Sequence, residues 1–149
     1  MTMDDAKRSF GFLLYDAARL LRRDFDRRAK GSGLTRAQWA VLAHLCRQEG
    51  IRQAVLAGIL DVEPITVCRL IDKMEAAGWV ERRHDPADRR VRTLHLTPQA
   101  HDVIDEMRAY GAATADGALA GLPEAQRETL VDLLIRVRAN LSEREADEA

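Results

Sequence analysis

A mainly α fold with a minor β component is predicted by three observations. Apolar residues recur at three-four spacing along most of the 149 residues. Two short helical patterns are separated by only three residues, and two segments that alternate apolar with polar side chains follow them. The chain is 46% hydrophobic, enough to build a core.

The elements follow in order. Phe10, Leu13, Leu14, Ala17, Leu20, Leu21 and Phe25 make one face of a first helix of about five turns. Residues 30–34, Lys-Gly-Ser-Gly-Leu, break it. Thr35 with Gln38 three residues on predicts a capping box that opens a second helix through Trp39, Leu42 and Leu45, with Gly50 as its stop. A short helix over residues 53–60 is interrupted at Asp61-Val62-Glu63 and restarts at Pro64, whose fixed backbone angle suits a first helical position. This next helix turns Val67, Leu70, Ile71 and Met74 inward and ends at Ala77-Gly78.

Residues 79–83 and 92–96 read as two strands of a hairpin, with Asp85-Pro86-Ala87-Asp88 as turn chemistry. Thr97-Pro98 predicts a helix cap, and Val103, Ile104 and Met107 begin another apolar stripe. Gly117 either kinks or stops that helix. Pro123 opens a last helix with Leu130, Leu134, Val137 and Leu141 on one face. Helix, tight turn, helix and hairpin together make a winged helix-turn-helix, here with a helical dimerisation region on either side: residues 1–34, 35–97 and 98–149 are the three expected segments. The terminal stripes need a partner, either a second copy or an internal bundle.

The formal net charge of −1 conceals an uneven distribution. Residues 1–35 carry 8 basic and 5 acidic side chains, residues 36–98 carry 10 and 8, and residues 99–149 carry 5 and 11. Between residues 82 and 92 stand Arg82, Arg83, Arg89, Arg90 and Arg92, a local patch suited to phosphates. In the second short helix Ile65, Thr66, Cys68, Arg69, Asp72 and Lys73 avoid the apolar face. Thr66 can bond a base or a phosphate, and Arg69 can grip guanine or clamp a phosphate. Asp88 would repel phosphate, so its expected role is to hold a neighbouring arginine. The residues expected at DNA are therefore Pro64, Ile65, Thr66, Cys68, Arg69, Lys73, Arg82, Asp88, Arg89, Arg90 and Arg92.

No nucleophile elbow, phosphate-cradling glycine loop or zinc-helix motif is present, so neither an enzyme, a cofactor nor a metal is expected. Cys46 and Cys68 are expected as free thiols. No run of 18 apolar residues and no apolar leader core occur, which points to a cytoplasmic protein without a membrane span.

One stretch resembles a known family. Gln53-Ala54, Leu56-Ala57, Leu60, Val62, Pro64, Thr66-Val67, Arg69-Leu70 and then residues 72–83 continuously, with Asp85-Pro86, Asp88-Arg89-Arg90, Leu94 and Leu96-Thr97-Pro98, are similar to the MarR family of bacterial transcription regulators. The most specific part is the wing pattern of Asp88, Arg90, Leu94, Leu96 and Thr97. The resemblance implies a homodimeric repressor that reads a pseudo-palindromic operator in double-stranded DNA. It also implies a small aromatic or phenolic effector in a cleft, where Phe12, Tyr15, Arg19, Trp39, Leu42 and His44 are the candidate contacts and Arg19 the carboxylate partner. Asp61 stands where many members have glycine, and Cys68 where many have serine or threonine. A rival reading is a winged-helix adaptor that binds protein and has lost DNA.

Overall fold

The computed structural model describes Asp5 and residues 8–148; the remaining positions at the start of the expected first segment lie outside the described residues. The chain divides into two compact units, residues 1–114 and 115–149.

In the first unit, α1 (Phe10–Ala29) starts at Ser9, whose Oγ accepts the Phe12 amide at 3.2 Å. The capping box at Thr35 forms as predicted: Oγ1 accepts the Gln38 amide at 3.2 Å and Gln38 Oε1 accepts the Thr35 amide at 3.0 Å, opening α2 (Arg36–Arg47). Next come α3 (Gln53–Leu60) and α4 (Pro64–Ala76). Asp61 makes the turn between them in the left-handed region at φ 53°, a conformation that aspartate tolerates and that glycine fills elsewhere. Gly78 ends α4 at φ 81°, with the Trp79 amide donating back to the Met74 carbonyl at 3.0 Å and the Gly78 amide to Glu75.

The hairpin is β2 (Val80–His84) with β3 (Arg92–Leu96), and a third, unexpected strand, β1 (Ile51–Arg52), pairs antiparallel on the far side of β3. Two residues are too few to show a period, so β1 left no pattern in the sequence. The register sets Val80 opposite Leu96 and Arg82 opposite Leu94. One core joins these elements: Val41, Leu42 and Leu45 of α2 pack with Leu56 of α3, with Val67, Ile71 and Met74 of α4, and with Ile51, Val80 and Leu94 of the sheet. Ala100 and Ile104 of α5 (Ala100–Ala118) complete it.

One expectation after the hairpin changes. Thr97 does not cap α5 with its side chain; its hydroxyl donates to the Gly78 carbonyl, tying the hairpin's exit to the end of α4. α5 ends at Ala118, one residue past Gly117, and Gly121 at φ 82° takes the turn that follows.

The second unit holds the end of α5, this turn and α6 (Glu124–Glu148). Arg127 pins the turn by donating Nε to the Leu122 carbonyl at 3.0 Å and pairing with Asp116 at 3.6 Å. No described residue of α6 is buried, although Leu130, Leu134 and Leu141 lie along it.

Candidate nucleic-acid interface

Helix α4 has three faces. Val67, Ile71 and Met74 enter the core. Ile65, Thr66, Arg69 and Lys73 lie exposed away from it, on the first three turns that begin at Pro64. Cys68, Asp72 and Glu75, at i, i+4 and i+7, flank the hairpin and line a cavity of about 450 Å³ with Gln53, Arg82 and Arg92. Cys68 and Asp72 thus lie on the wing side of the helix, Cys68 half-buried and Asp72 exposed.

The reason is Arg82, and here a sequence expectation is corrected. Strand alternation puts Arg82 on the same face as Val80, and its side chain is only 15% exposed. Nε donates to Gln53 Oε1 at 2.9 Å and Nη2 to the Cys68 carbonyl at 3.0 Å, while Nη1 reaches the carboxylates of Asp72 at 2.7 Å and Glu75 at 3.2 Å. The Arg82 amide donates to the same Glu75 carboxylate at 3.0 Å. Four of the five guanidinium N–H groups meet these acceptors and the fifth turns to Cys68 Sγ at 3.8 Å, so Arg82 is a brace between α3, α4 and β2.

The wing tip is built from two aspartates. Asp85 Oδ1 accepts the Ala87 amide at 2.8 Å, and its other oxygen pairs with Arg52 of β1 at 3.1 Å. Asp88 Oδ1 accepts the Arg90 amide at 3.0 Å, and the carboxylate takes the Arg90 guanidinium in a two-pronged pair, both contacts at 3.1 Å. The side chain of Arg90 nevertheless remains 89% exposed. The Arg90 guanidinium, and after it the Arg90 amide, hold the Asp88 carboxyl below its ordinary value of 3.8, and Asp88 in turn raises Arg90. Asp88 is the arginine holder that its sign suggested.

Arg89 and Arg92 complete the edge. Arg89 is exposed with no ion pair among the described residues, and Arg69 and Lys73 on α4 share that property. His84 Nδ1 lies 2.8 Å from the Arg89 carbonyl, and Arg92 Nη1 lies against the same ring, 3.0 Å from Nε2 and 3.3 Å from Nδ1. His84 therefore links Arg92 to the backbone of the tip.

Of the six residues expected around an effector, Trp39 lines a cavity among the described residues. Trp39 stacks on Phe25 with ring centroids 5.7 Å apart, and both line a cavity of about 450 Å³ with Ala29, Lys30, Leu34, Arg36 and Met107. Leu42 is fully buried in the core and is corrected from ligand contact to packing residue. Phe12 and Tyr15 are exposed on α1 away from this cavity, His44 is half-buried outside it, and Arg19 is paired with Asp16 at 2.6 Å. Sequence reasoning missed Arg52 and Gln53, which brace the wing, and Phe25, whose place in an apolar stripe at three-four spacing gave no sign of a cavity.

Among the described residues there is no cluster of three or more metal-ligating side chains and no helix long and apolar enough to cross a membrane.

Comparison with known proteins agrees with this geometry. The MarR family model matches residues 32–91, which hold α2 to α4 and the wing up to its tip. An uncharacterized HTH-type transcriptional regulator of Bacillus subtilis (strain 168), YybA, is 30% identical over 139 residues, covering 93% of this chain and 90% of its own. The crystal structure of transcriptional regulator PA3341 is 36% identical and superposes with a TM-score of 0.78 over 91% of this chain and 99% of its own. BpsR of Bordetella bronchiseptica, solved in a study of how 6-hydroxynicotinic acid regulates its DNA binding, is 28% identical with a TM-score of 0.73, covering 89% of this chain and 94% of its own. With a relative matched nearly end to end, a winged helix-turn-helix built residue by residue and an arginine-tipped wing, the chain belongs to the MarR family of DNA-binding transcriptional regulators.

Proposed function

We propose that the protein is a cytoplasmic, homodimeric repressor that reads a pseudo-palindromic operator in double-stranded DNA and lets go when a small aromatic or phenolic effector binds. In this reading residues 35–97 are the DNA-binding unit, and residues 1–34 and 98–149 form the dimer. Pro64, Ile65, Thr66, Arg69 and Lys73 enter the major groove, while Arg89, Arg90 and Arg92 follow the backbone or the minor groove. Cys68 stands at the margin of that surface.

The observation that carries the reading is that α4 and the wing tip both present cations: Arg69, Lys73 and Arg89 have no acidic partner among the described residues, and Arg90 is held outward by Asp88. An adaptor that binds protein has no use for this surplus on both elements. Repression is the sign that the family resemblance implies. The effector reading draws on the Phe25–Trp39 stack and on BpsR, whose DNA binding 6-hydroxynicotinic acid regulates; Lys30 and Arg36 both line the cavity, and with Arg36 engaged by Asp26, Lys30 is the cation available to an acid.

The test is a fluorescence-anisotropy titration of the genomic fragment beside the protein's own gene, at two salt concentrations, with an unrelated duplex as competitor and then with added salicylate or 6-hydroxynicotinate. Binding that survives the competitor, weakens with salt and is reversed by an aromatic acid supports the full reading. Failure on this fragment and in a selection from random duplexes would promote the adaptor.

A further inference from the structure

Ile65 is 58% exposed in the second position of α4, and nothing in the core claims it. A lone exposed apolar residue is ordinary on a protein surface, but its setting here is not. Arg69 lies one turn further along the same face and Lys73 a turn beyond, both cationic and without an acidic partner among the described residues. The next acid along the helix, Asp72 at i+7, lies on the wing side of α4 and pairs with Arg82 at 2.7 Å. Asp61 and Glu63 stand beside Thr66 at the start of the helix, so the basic strip begins beyond Ile65 and runs through Arg69 and Lys73. A branched hydrocarbon at the head of that strip, with the Thr66 methyl beside it, suits a polyanion that carries a methyl group.

Resting on the DNA reading above, we propose that Ile65 is a specificity-determining residue that recognises the C5-methyl group of a thymine in each half-site. The thymine methyl is the one apolar group that ordinary base pairs present in the major groove, so a side chain without donors or acceptors can discriminate there only by covering it or by clashing. Covering it removes methyl and isoleucine carbons from water together, a gain about the size of one buried methyl group. Arg69 and Lys73 supply the attraction that brings the helix in, and Ile65 selects where it settles.

The experiment begins with a duplex enriched from a random library by the full-length protein. Each thymine of one half-site is then replaced singly by deoxyuridine, which removes the methyl group and nothing else. Wild type should lose about fourfold in affinity at one such position. Ile65→Ala should bind the thymine duplex about fourfold more weakly than wild type and be indifferent to the deoxyuridine at that position, and Ile65→Val should fall between them. Because Ile65 is exposed, its variants should melt as wild type does. Three outcomes overturn the inference: no deoxyuridine substitution weakens wild type, Ile65→Ala loses the same factor as wild type, or Ile65→Ala equals wild type on every duplex. The last would assign Ile65 to the exposed apolar patch of Val55, Ile59 and Val62 and to a protein partner. Salt-sensitive binding without any enriched sequence would sink this inference while leaving DNA binding intact, whereas no binding to any duplex would sink both.

Discussion

Asp88 places a negative charge where DNA would approach, and the structure shows what offsets that repulsion: a guanidinium and an amide of Arg90, both held by one carboxylate. Since Arg90 lowers the Asp88 pKa, the pair is intact above the ordinary carboxylate value of 3.8 and is lost as pH falls through the depressed one. Hydrogen exchange at the Arg90 amide should therefore be flat from neutral pH to mild acid, once corrected for intrinsic rates, and rise only in stronger acid. In Asp88→Ala the acid-dependent step should vanish. The same variant should keep or gain affinity for unrelated duplex and lose roughly 3- to 10-fold in discrimination for its operator, because it removes both a repulsive charge and the arginine's holder. Leu42 supplies the contrasting case. Leu42→Ala should cost about 2–5 kcal/mol in urea denaturation, the penalty of a core cavity, with effector affinity unchanged wherever the variant stays folded. Trp39→Ala should do the reverse, losing effector response with a smaller effect on folding.

At the scale of elements, Arg82 couples α4, the helix proposed to read DNA, to the strand that carries the wing. The variant Arg82→Met should lose about 1–3 kcal/mol of stability, less than a fully buried pair because Asp72 and Glu75 both keep solvent contact. Operator binding should weaken without a change in the slope of affinity against salt, while a direct phosphate contact such as Arg90 should lower that slope by about one on removal. Arg82→Lys should recover little, since an ammonium cannot reproduce the fork. Most of the winged unit was legible in the sequence: the Thr35 box, the Pro64 start, the Gly78 stop and the hairpin each rest on local chemistry that tertiary packing did not override. Arg82 was misjudged because arginines in a basic run look alike. Its place on the inward face, two residues after Val80, was in the sequence, but its partners come from α3 and α4, and only the register brings them within reach. The Phe25–Trp39 cavity was illegible for a similar reason, since Phe25, Leu34 and Met107 are far apart in the chain and each fits an ordinary stripe.

On the scale of the whole molecule, the outer helices carry more apolar surface than this chain covers. Phe10, Phe12, Leu13, Leu20 and Tyr15 on α1 and Leu130, Leu133, Leu134 and Leu141 on α6 are all exposed, and α6 buries none of its described residues. In the proposed homodimer these faces are the ones a second copy would cover. Light scattering should give about 33 kDa, twice the 16.7 kDa of the chain. Leu134→Glu should shift it toward the monomer and reduce operator affinity well beyond its effect on a single half-site, because two linked heads bind as one.

The brace at Arg82 also bears on how such a protein could be redesigned. A chimera that exchanges only residues 65, 66, 69 and 73 for those of another regulator changes the reading surface and leaves every partner of Arg82 in place. A chimera that exchanges the helix entire replaces Asp72 and Glu75 as well, leaving a half-buried guanidinium without its carboxylates and a wing without its footing. The sequence preference of this protein is therefore transplantable as a surface but not as a segment.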